Sequence, residues 1–149
     1  MKRRFLKFAL AVAALALVSA CATGIKHDEM AASMPSIKPG QGRVYFFRSS
    51  VVGAAIQPDI RLDGEVVGAS RPGGFFYVDR PAGSHIASAS TETEKTLSFT
   101  LQAGETKYIR SSVGLGIIVG RVLLEPETPE KARAELGSLS YTGAPVAAR

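Results

Sequence analysis

Few side chains in this 149-residue chain can do chemistry: one cysteine, Cys21, and two histidines, His27 and His85. A thiolate nucleophile needs a base beside it, and a disulfide needs a second cysteine, which the sequence lacks. His85 could act as a general base in a His-Asp or Ser-His-Asp arrangement, with Asp59, Asp63, Asp79, Ser84 and Ser88 available as partners. The plainer expectation is that Asp63 belongs to a hairpin turn, Asp79 ends a strand, and His85 opens a strand with its imidazole toward solvent. No cysteine or histidine pair at zinc spacing occurs, and the isolated acids do not make a calcium loop. His27, Asp28 and Glu29 stand together and are expected to be simply solvated. No catalytic residue, metal ligand or other cofactor site is therefore assigned.

Glycines at 114, 116 and 120 in VGLGIIVGRV (113–122) resemble a phosphate-binding loop only superficially. The spacing fits neither GxGxxG nor GxxxxGK[ST], and no helix opens after it to offer its N-terminus to an anion. Nucleotide binding is rejected. What remains is an apolar loop of Val113, Leu115, Ile117, Ile118 and Val119 between two strands. The favoured expectation is that it folds back over the open end of the domain and plugs the core, or continues as a strand with a glycine bulge. The functional alternative makes these five residues an exposed patch that meets a partner or dips into a membrane.

The elements around these residues start with the N-terminus. Lys2, Arg3, Arg4 and Lys7 precede an apolar run, Phe8 to Val18, and Ser19 and Ala20 follow it, which is the order of a secretory signal. Eleven helical residues cover about 16 Å, roughly half of a hydrocarbon core about 30 Å thick, so a cleaved signal is preferred to a transmembrane span. The full chain carries a formal charge of +5 and a pI near 9.6. Loss of residues 1–20 takes away four basic residues and leaves 14 Lys and Arg against 13 Asp and Glu, a side-chain charge of +1. A nucleic-acid partner is accordingly not expected, because its attraction rests on net basic charge.

Val18-Ser19-Ala20-Cys21 resembles the bacterial lipobox. The resemblance implies cleavage before Cys21, a diacylglyceryl group on its thiol and a further acyl chain on its new amine. Two or more chains hold a protein stably to a bilayer where one does not. Ala22 stands where such lipoproteins carry aspartate for inner-membrane retention, which implies the outer membrane, periplasmic face. Residues 22–42, ATGIKHDEMAASMPSIKPGQG, have no sustained period and read as a flexible tether with a root-mean-square span of about 25 Å.

From Arg43 the punctuation becomes that of an all-β domain, spanning 43–126. RVYFFR (43–48) is aromatic and β-branched, and in PDIRLDGEVVG (58–68) Asp63-Gly64 marks a tight hairpin. GFFYVD (74–79), SHIASAS (84–90), KTLSFTL (95–101), TKYIRSS (106–112) and RVLLE (121–125) complete the set. In KTLSFTL, Leu97, Phe99 and Leu101 alternate with Thr96, Ser98 and Thr100, one dry face and one wet. About seven short strands separated by Gly or Pro predict an antiparallel β-sandwich. TPEKARAEL (128–136) predicts one short helix, capped by Thr128 with Pro129 at its first position; its thin apolar face, Ala132 and Leu136, suggests a peripheral element. SLSYTGAPVAAR (138–149) reads as a tail.

RVYFFR, LDGEVVG (62–68), PAGSH (81–85), AGETKYIR (103–110) and GLGIIVGR (114–121) together resemble a family of bacterial lipoproteins catalogued as domain of unknown function 2846. LDGxxxG…PAGxH is also similar to PEGA-type β domains of cell envelopes. The resemblance implies a lipid-anchored β-sandwich and brings no catalytic residues with it. The expected function is a non-enzymatic binding or structural module of the envelope, attached to membrane lipid through Cys21, with an envelope protein or the cell wall as its partner. The alternatives are an envelope hydrolase using His85 and a lipocalin-like carrier of small ligands.

Overall fold

A computed structural model describes residues 21–143. The signal-like residues 1–20 and the last six residues of the tail lie outside that range. Among the described residues nine strands build two sheets: β1 (Gln41–Arg48), β2 (Asp59–Leu62), β3 (Glu65–Ala69), β4 (Gly74–Pro81), β5 (Gly83–Ser90), β6 (Glu94–Leu101), β7 (Thr106–Gly114), β8 (Arg121–Glu127) and β9 (Ser140–Tyr141). The first sheet has the order β8-β7-β1-β4-β9 and the second β3-β2-β5-β6. The β-sandwich is as expected, with two additions. The first sheet is mixed, because β1 pairs β7 in parallel and β4 pairs β9 in parallel. The second addition is β9 itself, which lies where the sequence suggested only tail.

Local chemistry explains the hairpin and the helix. Asp63 (φ 53°) and Gly64 (φ 85°) both take the positive φ that a two-residue primed turn requires. Helix α2 (Pro129–Leu136) starts where Thr128 Oγ1 accepts the Lys131 N–H at 3.5 Å, with proline in the first turn.

Packing makes three layers. Between the sheets, Val44, Phe46 and Ile109 of the first meet Ile60, Leu62 and Leu101 of the second. On the outer face of the first sheet a second core forms from Tyr45, Phe47, Phe75 and Tyr108, covered by Met30, Ala132 and Leu136. Strand β1 thus alternates between two cores, Val44 and Phe46 inward, Tyr45 and Phe47 outward. That is why RVYFFR is apolar throughout its centre, as in strands buried on both faces.

Two expectations are corrected by this outer core. Helix α2 is not peripheral, since Ala132 and Leu136 are fully buried. Residues 22–42 are not a free tether: they run over the sheet as extended chain, helix α1 (His27–Met30) and a 3₁₀ turn (Ala31–Ser33). Backbone bonds Ala22 N to Pro72 O (2.9 Å), His27 N to Leu139 O (3.0 Å) and Tyr141 N to Ile25 O (2.8 Å) tie the segment down. Met30 is buried, and the His27 ring meets Phe75 edge-on at 5.2 Å and Tyr45 at 5.8 Å. Arg43 fixes the far part: it forks onto Asp79 (2.7 and 2.8 Å), donates to Pro35 O (2.8 Å) and lies 4.3 Å over the Tyr77 ring.

Candidate functional site

Strand directions decide which loops share an end. Arg48 pairs Gly74, and parallel pairing of Phe47 with Arg110 carries Val113 and Gly114 past the end of β1. The loops 49–58, 70–73, 91–93 and 115–120 therefore gather at one end. Ala22, held at Pro72, places exposed Cys21 at this end as well.

Arg48 organises the first of these loops. It is wholly buried and has no carboxylate partner among the described residues; instead its guanidinium donates to the carbonyls of Ser50 (3.2 Å), Ile56 (2.8 Å), Ser70 (3.0 Å), Val52 (2.7 Å) and Gly53 (2.9 Å). Five N–H donors meet five carbonyls, the full capacity of the group. Burial lowers its pKa from the usual arginine value. Its job is to fold the chain from 50 to 56 around itself, which leaves Val51 and Val52 outside.

Glu92 organises the second. Its carboxylate accepts the backbone N–H groups of Ile117 (3.1 Å), Ile118, Val119 and Gly120 (3.2 Å). These donors, those of Val119 and Ile118 foremost, pull its pKa down to about 2. The concave row of amides is thus an anion site filled by the protein's own carboxylate. Arg121 Nε stands 4.0 Å from the same group.

The favoured expectation for the apolar loop is not met. Val113 is buried within β7, but Leu115 (99%), Ile117 (85%) and Ile118 (88%) are almost fully exposed, and Val119 is exposed too. With its amides drawn inward to Glu92, the loop has no choice but to turn these side chains out. Leu115, Ile117, Ile118 and Val119 are consequently not a plug, and Val113, buried in β7, is not part of the exposed patch.

His85 is also placed otherwise than expected. It is buried rather than solvent-facing, with Nδ1 2.7 Å from Asp63 Oδ2 and Nε2 2.8 Å from the Pro81 carbonyl. Two acceptors on two ring nitrogens call for a donor at each, which only imidazolium supplies. Burial by itself would lower the His85 pKa, yet the bonds to Asp63 and Pro81 and the Asp63 charge outweigh it and raise the value. Asp63 is shifted down by the same bond and by the Ile86 N–H on Oδ1 (2.9 Å), against a desolvation that pushes up. The pair staples the β2–β3 turn to β5. It leaves no ring nitrogen free to take a proton from a substrate. Asp59, Asp79, Ser84 and Ser88 do not join it: Asp79 is engaged by Arg43, and the others lie along the strands.

The carrier alternative needs a barrel around a cavity. Instead the space between the two sheets is filled by side chains. Among the described residues one cleft of about 180 Å³ lies beside Leu97, Phe99 and Pro126 and another of about 190 Å³ beside Asp59, Arg61 and Ser88. Among the described residues no cluster of three His, Cys, Asp or Glu could hold a metal, and no helix is long and apolar enough to cross a membrane.

Residues 38–121 match the family described as Protein of unknown function (DUF2846). The chain belongs to that family. It is also 30% identical over 129 residues to an uncharacterized protein of Haemophilus influenzae, an alignment covering 83% of this chain and 77% of that one. No solved structure matches it. The DUF2846 region runs from just before β1 to the first residue of β8, so it contains Arg48, the Asp63–His85 staple, Glu92 and the exposed loop. Helix α2, β9 and residues 22–37 lie outside it, and they are the parts that cover the outer core.

Sequence reasoning passed over Arg48 and Glu92. The available signal for Glu92 was the glycine-rich apolar segment, whose amides require an acceptor from somewhere.

Proposed function

We propose that this DUF2846 protein is a lipoprotein of the bacterial envelope, cleaved before Cys21, acylated there, and held to the outer membrane with its β-sandwich in the periplasm as a non-enzymatic binding or structural module. The observation that carries the reading is Cys21 itself: the chain's single thiol follows a basic, apolar and small-residue sequence and stands exposed at the margin of the folded domain. The closed hydrogen bonding of His85 supports a non-catalytic role, since the histidine considered as a general base is spent on structure. The expected partners are membrane lipid through Cys21 and an envelope protein or the cell wall through the domain.

The test compares wild type with Cys21→Ala in cells fed labelled fatty acid. Wild type should take up label and sediment with membranes, and the variant should do neither; equal labelling and membrane partition of the two would refute the anchor. A His85→Ala strain should show no envelope phenotype beyond what loss of protein level explains. Loss of function at normal protein level would favour the hydrolase alternative.

A further inference from the structure

The exposed aliphatic side chains are concentrated. Leu115, Ile118, Ile117, Val52 and Val51, in that order, are the five most exposed large apolar residues among those described, and all five lie on the two loops at the Cys21 end. The loops abut one another. A methyl group built on Gly53 would stand 2.8 Å from Val113 Cγ1, and one on Gly120 2.9 Å from Ile56 Cδ1. The path to Cys21 is equally short: Ala22 N bonds Pro72 O, Gly73 N bonds Arg48 O, and Arg48 holds Val52 and Gly53.

We propose that this end is a membrane-insertion surface, in which the 51–52 and 115–119 loops enter the same lipid leaflet that holds acylated Cys21. The inference rests on the anchored reading and adds how the domain is oriented by it. Because residue 22 is bonded to the domain, almost no slack separates the acyl chains from the fold, and the loops are at the bilayer rather than far above it. An aliphatic tip at that position meets lipid before it meets anything else.

The construction of the tip fits an apolar medium. Backbone N–H groups entering lipid must find their acceptor within the protein, and Glu92 accepts those of Ile117, Ile118, Val119 and Gly120 from the inner side. The side chains of Leu115, Ile117 and Ile118 are presented on the outer side. Arg71, in the 70–73 loop, and Arg121, the first residue of β8, are exposed at this end and offer positive charge to phosphate headgroups. Protein interfaces, by contrast, centre on Trp, Tyr or Arg anchors in well-packed pockets, and these two loop tips offer none. Membrane contact at this end leaves the opposite end, with the Asp63-Gly64 turn and Ser84, facing the periplasm.

The test uses the full acylated protein, with Ile118→Cys or, at the far end, Ser84→Cys, labelled with an environment-sensitive nitrobenzoxadiazole dye and reconstituted in phosphatidylethanolamine–phosphatidylglycerol vesicles. Both positions are exposed, so neither change disturbs packing. One dye per chain is expected, because acylation blocks the Cys21 thiol. The dye at 118 should shift its emission to the blue and be quenched by nitroxide lipids but not by aqueous iodide, and the dye at 84 should show the reverse. One dye per chain with iodide-quenched emission at both positions overturns insertion while the anchor stands. Burial at 118 that appears only when envelope proteins are added also overturns it, in favour of a protein partner. Two dyes per chain show a free Cys21, and the anchored reading falls together with this proposal.

Discussion

Glu92, in the turn between β5 and β6, and Ile118, at the tip of the loop between β7 and β8, are joined by a carboxylate-to-amide hydrogen bond of 2.5 Å across 26 residues of sequence. The bond belongs to a set of four, and it converts a glycine-punctuated apolar segment into a loop with one shape. Because the Glu92 pKa is depressed, the clamp is complete above the ordinary carboxylate range and is lost only as pH falls through about 2. The Glu92 carboxyl carbon should titrate near 2 by NMR, and the amides of 117–120 should stay protected from exchange at pH 3. In Glu92→Gln the same amides should exchange faster while the thermal midpoint stays nearly unchanged. Unaltered exchange in that variant would show that the loop is held by something else.

The Asp63–His85 pair predicts the opposite pH sense. A histidine whose pKa is raised in the folded state contributes stability that is fully present below its unfolded value of about 6.5 and is lost as pH rises through the folded value. The melting temperature should therefore decline from neutral to alkaline pH more steeply than in Asp63→Asn. That variant keeps an Oδ1 acceptor for the Ile86 N–H and tolerates the positive φ of residue 63. The His85 imidazole resonances should titrate at lower pH in Asp63→Asn than in wild type.

Removing Arg48 should be costly without any charge partner being lost. Arg48→Ala strands several buried carbonyls, each worth roughly 1–3 kcal/mol when left without a donor, so a loss of about 3 kcal/mol is expected in urea unfolding. Arg48→Lys should recover only part of it, because an ammonium has three donors for five acceptors. Faster exchange in residues 50–57 should accompany both substitutions.

Met30 holds the N-terminal segment to the outer core. Met30→Ala should cost about 2 kcal/mol, at the low end for a buried methionine because the segment can resettle. Limited proteolysis should then cut within residues 22–40 while the two sheets resist. Cutting at the same rate in wild type would restore the tether that the sequence suggested.

What could be read in the sequence was local. Leu97, Phe99 and Leu101 alternate with threonine and serine because one face of β6 is wet, and Asp63-Gly64 and Thr128-Pro129 mark their turn and cap by backbone chemistry that neighbours alone decide. What could not be read depends on distant partners. Residues 22–42 lack a period because Met30 and His27 dock singly into gaps between Tyr45 and Phe75, so nothing repeats. Ser140 and Tyr141 become a strand only because β4 has a free edge. His85 is buried because Asp63 and Pro81 satisfy both of its nitrogens, and Ile117 and Ile118 face outward because Glu92 holds their backbone from within. Charge and polarity at single positions misled wherever a partner far along the chain cancelled them.

The central claim is a lipid-anchored mature chain beginning at Cys21, and the intact mass of the protein extracted from membranes tests it most directly. The account predicts an N-terminal Cys21 carrying a diacylglyceryl group and an amide-linked acyl chain, with residues 1–20 gone. An unmodified Cys21, with residues 1–20 still attached or with cleavage at another bond, would contradict it.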